Sequence, residues 1–325
     1  MKSATRLAIL AILLSNTTVS VGRQAPIVQP NQTPPTTQKE SYQSEFFRLA
    51  VNGAIFIYHS PSVVDPCAPL PPGTIVLLPL GTGFVAGIES TISTPKLWNG
   101  WKFLVTAKHV LANQSEVIVR VNSSDGSKFI CKTLEIHFSG KDANVVFAPD
   151  GVDLVALWLP EIDGADPTVV PPKMLIDKSQ MKEWNIGVGT QVATVGYLFG
   201  YSGQKANFPV TKFGHVAAMT DDAWFYNGAT RLSEQGYVVD LSNAPGLSGA
   251  PVFAYGIEFE TDPLRYRVLP PYLIGVVKDL LLAPVQGQMI SQGVAVIEPT
   301  PNLKALMKQI AGQLKTGGRN VQDVN

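Results

Sequence analysis

The chain has 325 residues, 45% of them hydrophobic and 15% charged, which is enough to bury a large core. Its 28 glycines and 25 prolines supply many turns, and the composition reads as all-β. With 25 basic residues against 25 acidic ones, there is no net basic field to recruit nucleic acid or an anionic membrane surface, so polypeptides are the expected partners.

Lys2 and Arg6 precede the apolar run Leu7 to Leu14, and mostly small polar residues follow through Ser20, the pattern of a signal peptide over residues 1–22. At about 8 residues the run is too short to span a bilayer, which needs about 20, so no stable membrane insertion is expected. Residues 23–40, rich in Gln, Pro and Thr, read as a flexible leader, and the folded part begins at residue 41. Strand-like runs follow at 54–58, 74–80, 83–87, 102–106, 117–121 and 128–136, with a hairpin turn at 122–127. After the Pro-rich connection 167–172 come further runs at 191–197, 214–218, 236–241, 251–255, 272–278 and 293–298. Thr300 as N-cap, Pro301 at the first helical position and the stripe Leu303, Leu306, Met307 and Ile310 predict a helix over 301–315. Residues 316–325 read as a disordered tail.

Three segments carry the chemistry. The run Pro245-Gly246-Leu247-Ser248-Gly249-Ala250-Pro251 sets one serine between glycines. A serine hydroxyl is a weak nucleophile unless a general base and an oxyanion site stand beside it. Phe103-Leu104-Val105-Thr106-Ala107-Lys108-His109 delivers a histidine after an apolar run, and Asp153-Leu154-Val155-Ala156-Leu157 opens another apolar run with an aspartate. His109 can serve as the base for Ser248, while Asp153 holds the imidazole in the right tautomer. The backbone N–H groups of Gly246 and Ser248 can face the developing oxyanion, and one such donor is typically worth about 3–4 kcal/mol of transition-state stabilisation. His59, His137 and His215 have no comparable setting and read as structural.

These segments, in the order His, Asp, Ser, resemble the chymotrypsin-like (trypsin-fold) serine peptidases, whose motifs are Thr-Ala-x-His, an aspartate opening a strand that contains alanine, and Gly-x-Ser-Gly-x-Pro. Ala156 stands one residue later than the family's usual alanine. The spacing, about 44 residues from His109 to Asp153 and about 95 from there to Ser248, suits a fold in which one barrel brings two members and the other brings the serine. The resemblance implies two six-stranded antiparallel β-barrels, approximately 41–165 and 173–299, with a C-terminal helix. It implies an exported serine endopeptidase, secreted or periplasmic, that works through an acyl-enzyme without cofactor or metal. A catalytically silent relative that binds polypeptides in the same cleft is the alternative.

The residue before the serine is Leu247, where the animal zymogens of the family carry an aspartate that receives a new N-terminal ammonium. The chain therefore looks more like the bacterial and viral branch, whose catalytic loop needs no such insertion. By the same resemblance the substrate pocket has Ser242 at its floor and Val277, Lys278, Asp279 and Gly293 along its walls, with an apolar or small side chain as its expected guest. Cys67 and Cys131 can form a disulfide closing a loop of about 64 residues, or remain two free thiols.

Overall fold

In β1 (Ala54–His59), Ile55 and Ile57 alternate with Phe56 and Tyr58, and all four are buried, which makes this strand a wall shared between two cores. The computed structural model describes residues 50–60, 65–68, 79–92, 99–198, 203, 205–219, 224–227, 232–241, 245–259, 266–285 and 288–324. Six further strands build the first sheet with β1: β2 (Gly81–Glu89), β3 (Gly100–Thr106), β4 (Glu116–Asn122), β5 (Phe129–Glu135), β6 (Val145–Phe147) and β7 (Val155–Trp158). Their order is β5-β4-β1-β2-β3-β7-β6, with the short β8 (Val169–Val170) parallel on β2. Ile55 and Ile57 meet Val117 and Val119 of β4, Leu104 of β3 and Val155 and Leu157 of β7 in one core. Cys67 and Cys131 are joined in a disulfide, which ties the segment at 65–68 to β5.

The second sheet is a closed barrel in the order β10-β13-β16-β15-β14-β9. Its strands are β9 (Gln191–Gly196), β10 (Val210–Ala218), β13 (Tyr237–Asp240), β14 (Pro251–Phe259), β15 (Tyr266–Val285) and β16 (Gln288–Pro299). The ribbon of β11 (Trp224–Asn227) and β12 (Leu232–Gln235) stands off it as a separate pair. A closed six-stranded barrel, a half-barrel before it and a C-terminal helix are consistent with the chymotrypsin-like arrangement of two β lobes that the resemblance implies.

The lobes are joined through side chains. Phe56 and Tyr58 pack with Tyr197, which follows β9, and the Phe56 and Tyr197 rings meet edge to face at 5.2 Å. The buried Arg120 lies 3.8 Å from the centre of the Phe129 ring and donates to Tyr58 Oη at 3.2 Å and to the Gly203 carbonyl at 2.9 Å. Burial lowers the guanidinium's pKa and pushes that of the Tyr58 hydroxyl up to about 12.

Several details differ from the sequence-based expectation. The first sheet is open among the described residues, and the predicted strand at 74–80 lies largely outside them. The short β6 and β8 and the β11–β12 ribbon carry too little apolar alternation to stand out. A short helix, α2 (Lys178–Glu183), starts from a capping box of Asp177 and Gln180. The C-terminal helix α3 (Thr300–Thr316) includes Thr300, whose hydroxyl donates to the Leu273 carbonyl at 2.8 Å and does not cap the helix. Its stripe of Leu303, Leu306, Met307 and Ile310 packs on residues of both lobes, among them Phe84, Val105, Phe253 and Val276. Residues 317–324, expected as a tail without structure, follow the helix and make contacts with the first lobe. Val321 bridges Ser90 just past β2, the Gln322 amide donates to the Glu89 carbonyl at 2.9 Å, and Val321 and Val324 are buried in the same core as the helix. Two buried valines three residues apart and backbone bonds to residues 89–91 together dock a segment that is otherwise polar.

Candidate active site

β3 ends at Thr106, and a single helical turn, α1 (Lys108–Leu111), follows at once because Val110 and Leu111 turn into the first core. That leaves His109 on the outer side of the turn with about half its side chain exposed. Asp153 lies just before β7, and its carboxylate meets His109 at two points: Oδ2 lies 2.7 Å from the ring Nδ1, and Oδ1 accepts the His109 amide at 3.0 Å. The Asp153 carbonyl accepts the Lys108 amide at 3.2 Å. Ring and backbone of the histidine are thus held by one aspartate.

Asp153 is held in turn by a residue the sequence reading did not single out. Its backbone amide donates to Glu298 Oε2 at 3.1 Å, across a separation of 145 residues. The Glu298 side chain is 3% exposed; Lys278 Nζ lies 3.6 Å from Oε2, and Asn302 Nδ2 donates to Oε1 at 2.5 Å. Burial raises the Glu298 carboxyl above its ordinary range, against the opposing pull of Lys278 and its hydrogen bonds. The signal in sequence is slight: Lys278 and Glu298 are opposite charges, each closing an apolar run.

The serine loop, 245–250, is fixed from its backbone. Gly246 has φ +100° and Gly249 φ +86°. A Cβ on Gly246 would run into the Tyr197 ring, and one on Gly249 into the Thr106 hydroxyl and the Thr82 carbonyl, so both positions require glycine for conformation and for space. Leu247 is buried in the second core with Ala250 and Val252. Thr82 of β2 clasps the loop: its amide donates to the Ser248 carbonyl at 2.8 Å, its hydroxyl donates to the Gly246 carbonyl at 2.8 Å and accepts the Tyr197 amide at 2.8 Å, and its carbonyl accepts the Thr106 hydroxyl at 2.7 Å.

The histidine turn and the serine loop converge on Gly81. A Cβ there would come 2.7 Å from the Ser248 carbonyl oxygen and 2.8 Å from Val110 Cγ2. The Gly249 and Ala250 amides are taken by the Val277 and Leu247 carbonyls at 2.8 Å each. Among the described residues, neither the Gly246 nor the Ser248 amide donates to a backbone carbonyl.

The expected pocket residues are distributed differently. Val277 borders the serine loop through its backbone. Lys278, expected on a pocket wall, is 6% exposed and its ammonium lies against the buried Glu298 carboxylate. Asp279 pairs with Val296 next to an irregularity in the β15–β16 ladder. Gly293 is exposed. Ser242 lies outside the described residues. A groove of about 760 Å³ on the first lobe, lined by residues including Trp101, Lys102, Trp158 and Asp166, contains none of His109, Asp153 and Ser248. No described helix is long and apolar enough to cross a membrane.

No protein-family model matches the chain, and no curated protein matches it. Solved structures do. The protease domain of MamO from Magnetospirillum magneticum, in its apo form, aligns over 80% of this chain and 97% of that one at 14% identity, with a TM-score of 0.46. The active form of the Rv3671c protease from M. tuberculosis aligns over 95% of this chain and 97% of that one at 16% identity, with a TM-score of 0.44. HBP aligns over 81% and 92% at 12% identity, with a TM-score of 0.44. The likeness is one of architecture.

Proposed function

We propose that this chain is an exported serine endopeptidase in which Ser248 is the nucleophile, His109 the general base and Asp153 its orienting acid. The observation that carries the reading is the two-point grip of Asp153 on His109, beside a glycine-shaped serine loop that meets the histidine turn at Gly81. In the proposed cycle Ser248 Oγ attacks the scissile carbonyl carbon while its proton passes to His109 Nε2. The oxyanion is met by the Gly246 and Ser248 amides, His109 returns the proton to the leaving amine, and the C–N bond breaks to give the acyl-enzyme. Water then attacks the ester with His109 again as base, releasing the acid and restoring the serine hydroxyl.

The buried Leu247 supports a loop that needs no activating N-terminus, since an apolar anchor stands where an ion pair would be required. The Cys67–Cys131 disulfide fits an oxidising compartment and so supports export. The substrate is a polypeptide with an apolar or small side chain before the scissile bond, because serine, the residue expected at the pocket floor at Ser242, is uncharged and forms no ion pair with a buried cation. Hydrolysis of an unfolded polypeptide by the wild type and by Ser248→Ala tests the reading. The variant should keep its fold and lose turnover; equal turnover would overturn it. Peptide-library profiling tests the pocket, and strict cleavage after Arg or Lys would contradict it.

A further inference from the structure

Asp153 lies just before β7 and in no strand, and its carbonyl accepts the Lys108 amide at 3.2 Å, a bond within the first lobe that does not reach the serine loop. Its amide is instead bound by a side chain from the other lobe: Glu298 on β16 reaches across to the loop that carries Asp153. A carboxylate suits this place for a chemical reason. It offers about four acceptor sites on two oxygens, so it can engage the Asp153 amide, the Lys278 ammonium and the Asn302 amide together. These three donors come from the first lobe, from β15 and from α3. β15 is also the strand whose Val277 takes the Gly249 amide of the serine loop.

We infer that Glu298 is a positioning residue: its buried carboxylate registers Asp153, and through it His109, against the barrel strand that holds the serine loop. The inference rests on the peptidase reading given above. Glu298 touches neither substrate nor the reacting atoms; it acts by fixing where the acid sits, and its loss should slow nucleophile activation while leaving substrate affinity alone.

The test compares two double variants, each free of an unpaired buried charge. Lys278→Met with Glu298→Gln keeps an acceptor for the Asp153 amide, whereas Lys278→Met with Glu298→Leu removes it. Ser248 modification by a fluorophosphonate probe, which reports nucleophile activation, should be about 10- to 100-fold slower in the leucine variant than in the glutamine variant, with KM for a peptide substrate alike in the two. Equal rates would assign Glu298 to packing alone and end the proposal. If the leucine variant fails to fold, Asn302→Ala decides: releasing Glu298 Oε1 should lower the labelling rate about threefold at constant KM, and an unchanged rate rejects the idea. Wild-type protein that is not labelled at Ser248 removes the peptidase reading itself, a result distinct from labelled wild type with indifferent variants.

Discussion

The two halves of the candidate site are held by different physics. On the first lobe His109 and Asp153 are placed by side-chain hydrogen bonds, ending in a buried carboxylate and ammonium. On the second, the serine loop is placed chiefly through its own backbone: two positive-φ glycines, a buried leucine, and loop carbonyls that accept the Thr82 amide and hydroxyl. The first arrangement is sensitive to charge and pH, the second to volume. A change of one methyl group should matter most at the serine, and a change of one charge most at the acid.

The largest expected effect is on the charged side. Lys278→Met leaves Glu298 buried without its ammonium and should cost about 3–5 kcal/mol of stability near neutral pH. Its sign against pH follows from linkage. Burial raises the Glu298 pKa in the fold, so the folded state binds more protons than the unfolded chain above the ordinary carboxylate range. Stability from this group is full below that range and falls as pH rises through the elevated value; removing Lys278 should steepen the fall. Urea unfolding of both proteins across acid to neutral pH measures it, and parallel curves would contradict the account.

On the steric side, Gly249→Ala should cost about 2–5 kcal/mol, adding left-handed backbone strain to overpacking against Thr106 and Thr82, and the loss should be flat in pH. A pH-dependent loss would blur the distinction between the halves. Thr82→Val keeps the shape but strands the Gly246 carbonyl and the Tyr197 amide, an expected loss of about 1–3 kcal/mol by thermal or denaturant unfolding. The smallest effect lies outside both halves: Val321→Ala, which trims the docked tail, should cost about 1–2 kcal/mol. No loss there would show that the contacts of residues 320–324 add nothing to stability.

The serine loop, His109 and Asp153 were legible because glycine, turn and apolar-run signals are local. Glu298 was not, because its meaning is a hydrogen bond to a residue 145 positions away, and its sequence context is only one acid at the end of a strand. Thr82 falls between the expected runs 74–80 and 83–87 with nothing local to mark it, although its amide, hydroxyl and carbonyl all serve the loop. The alternation of the barrel strands made most of them visible, whereas the three residues of β6 and two of β8 hold no full period. The burial of Val321 and Val324 is not legible locally, because it depends on a surface made by β2 and α3 together.

Fluorophosphonate labelling followed by mass-spectrometric location of the adduct tests the central claim most directly, since only a serine activated by a neutral imidazole reacts readily. The account predicts a single adduct on Ser248, absent in Ser248→Ala, strongly slowed in His109→Ala and declining as acid protonates the base. Labelling of Ser248→Ala at the wild-type level, or a folded wild type that takes no probe on Ser248, would contradict it.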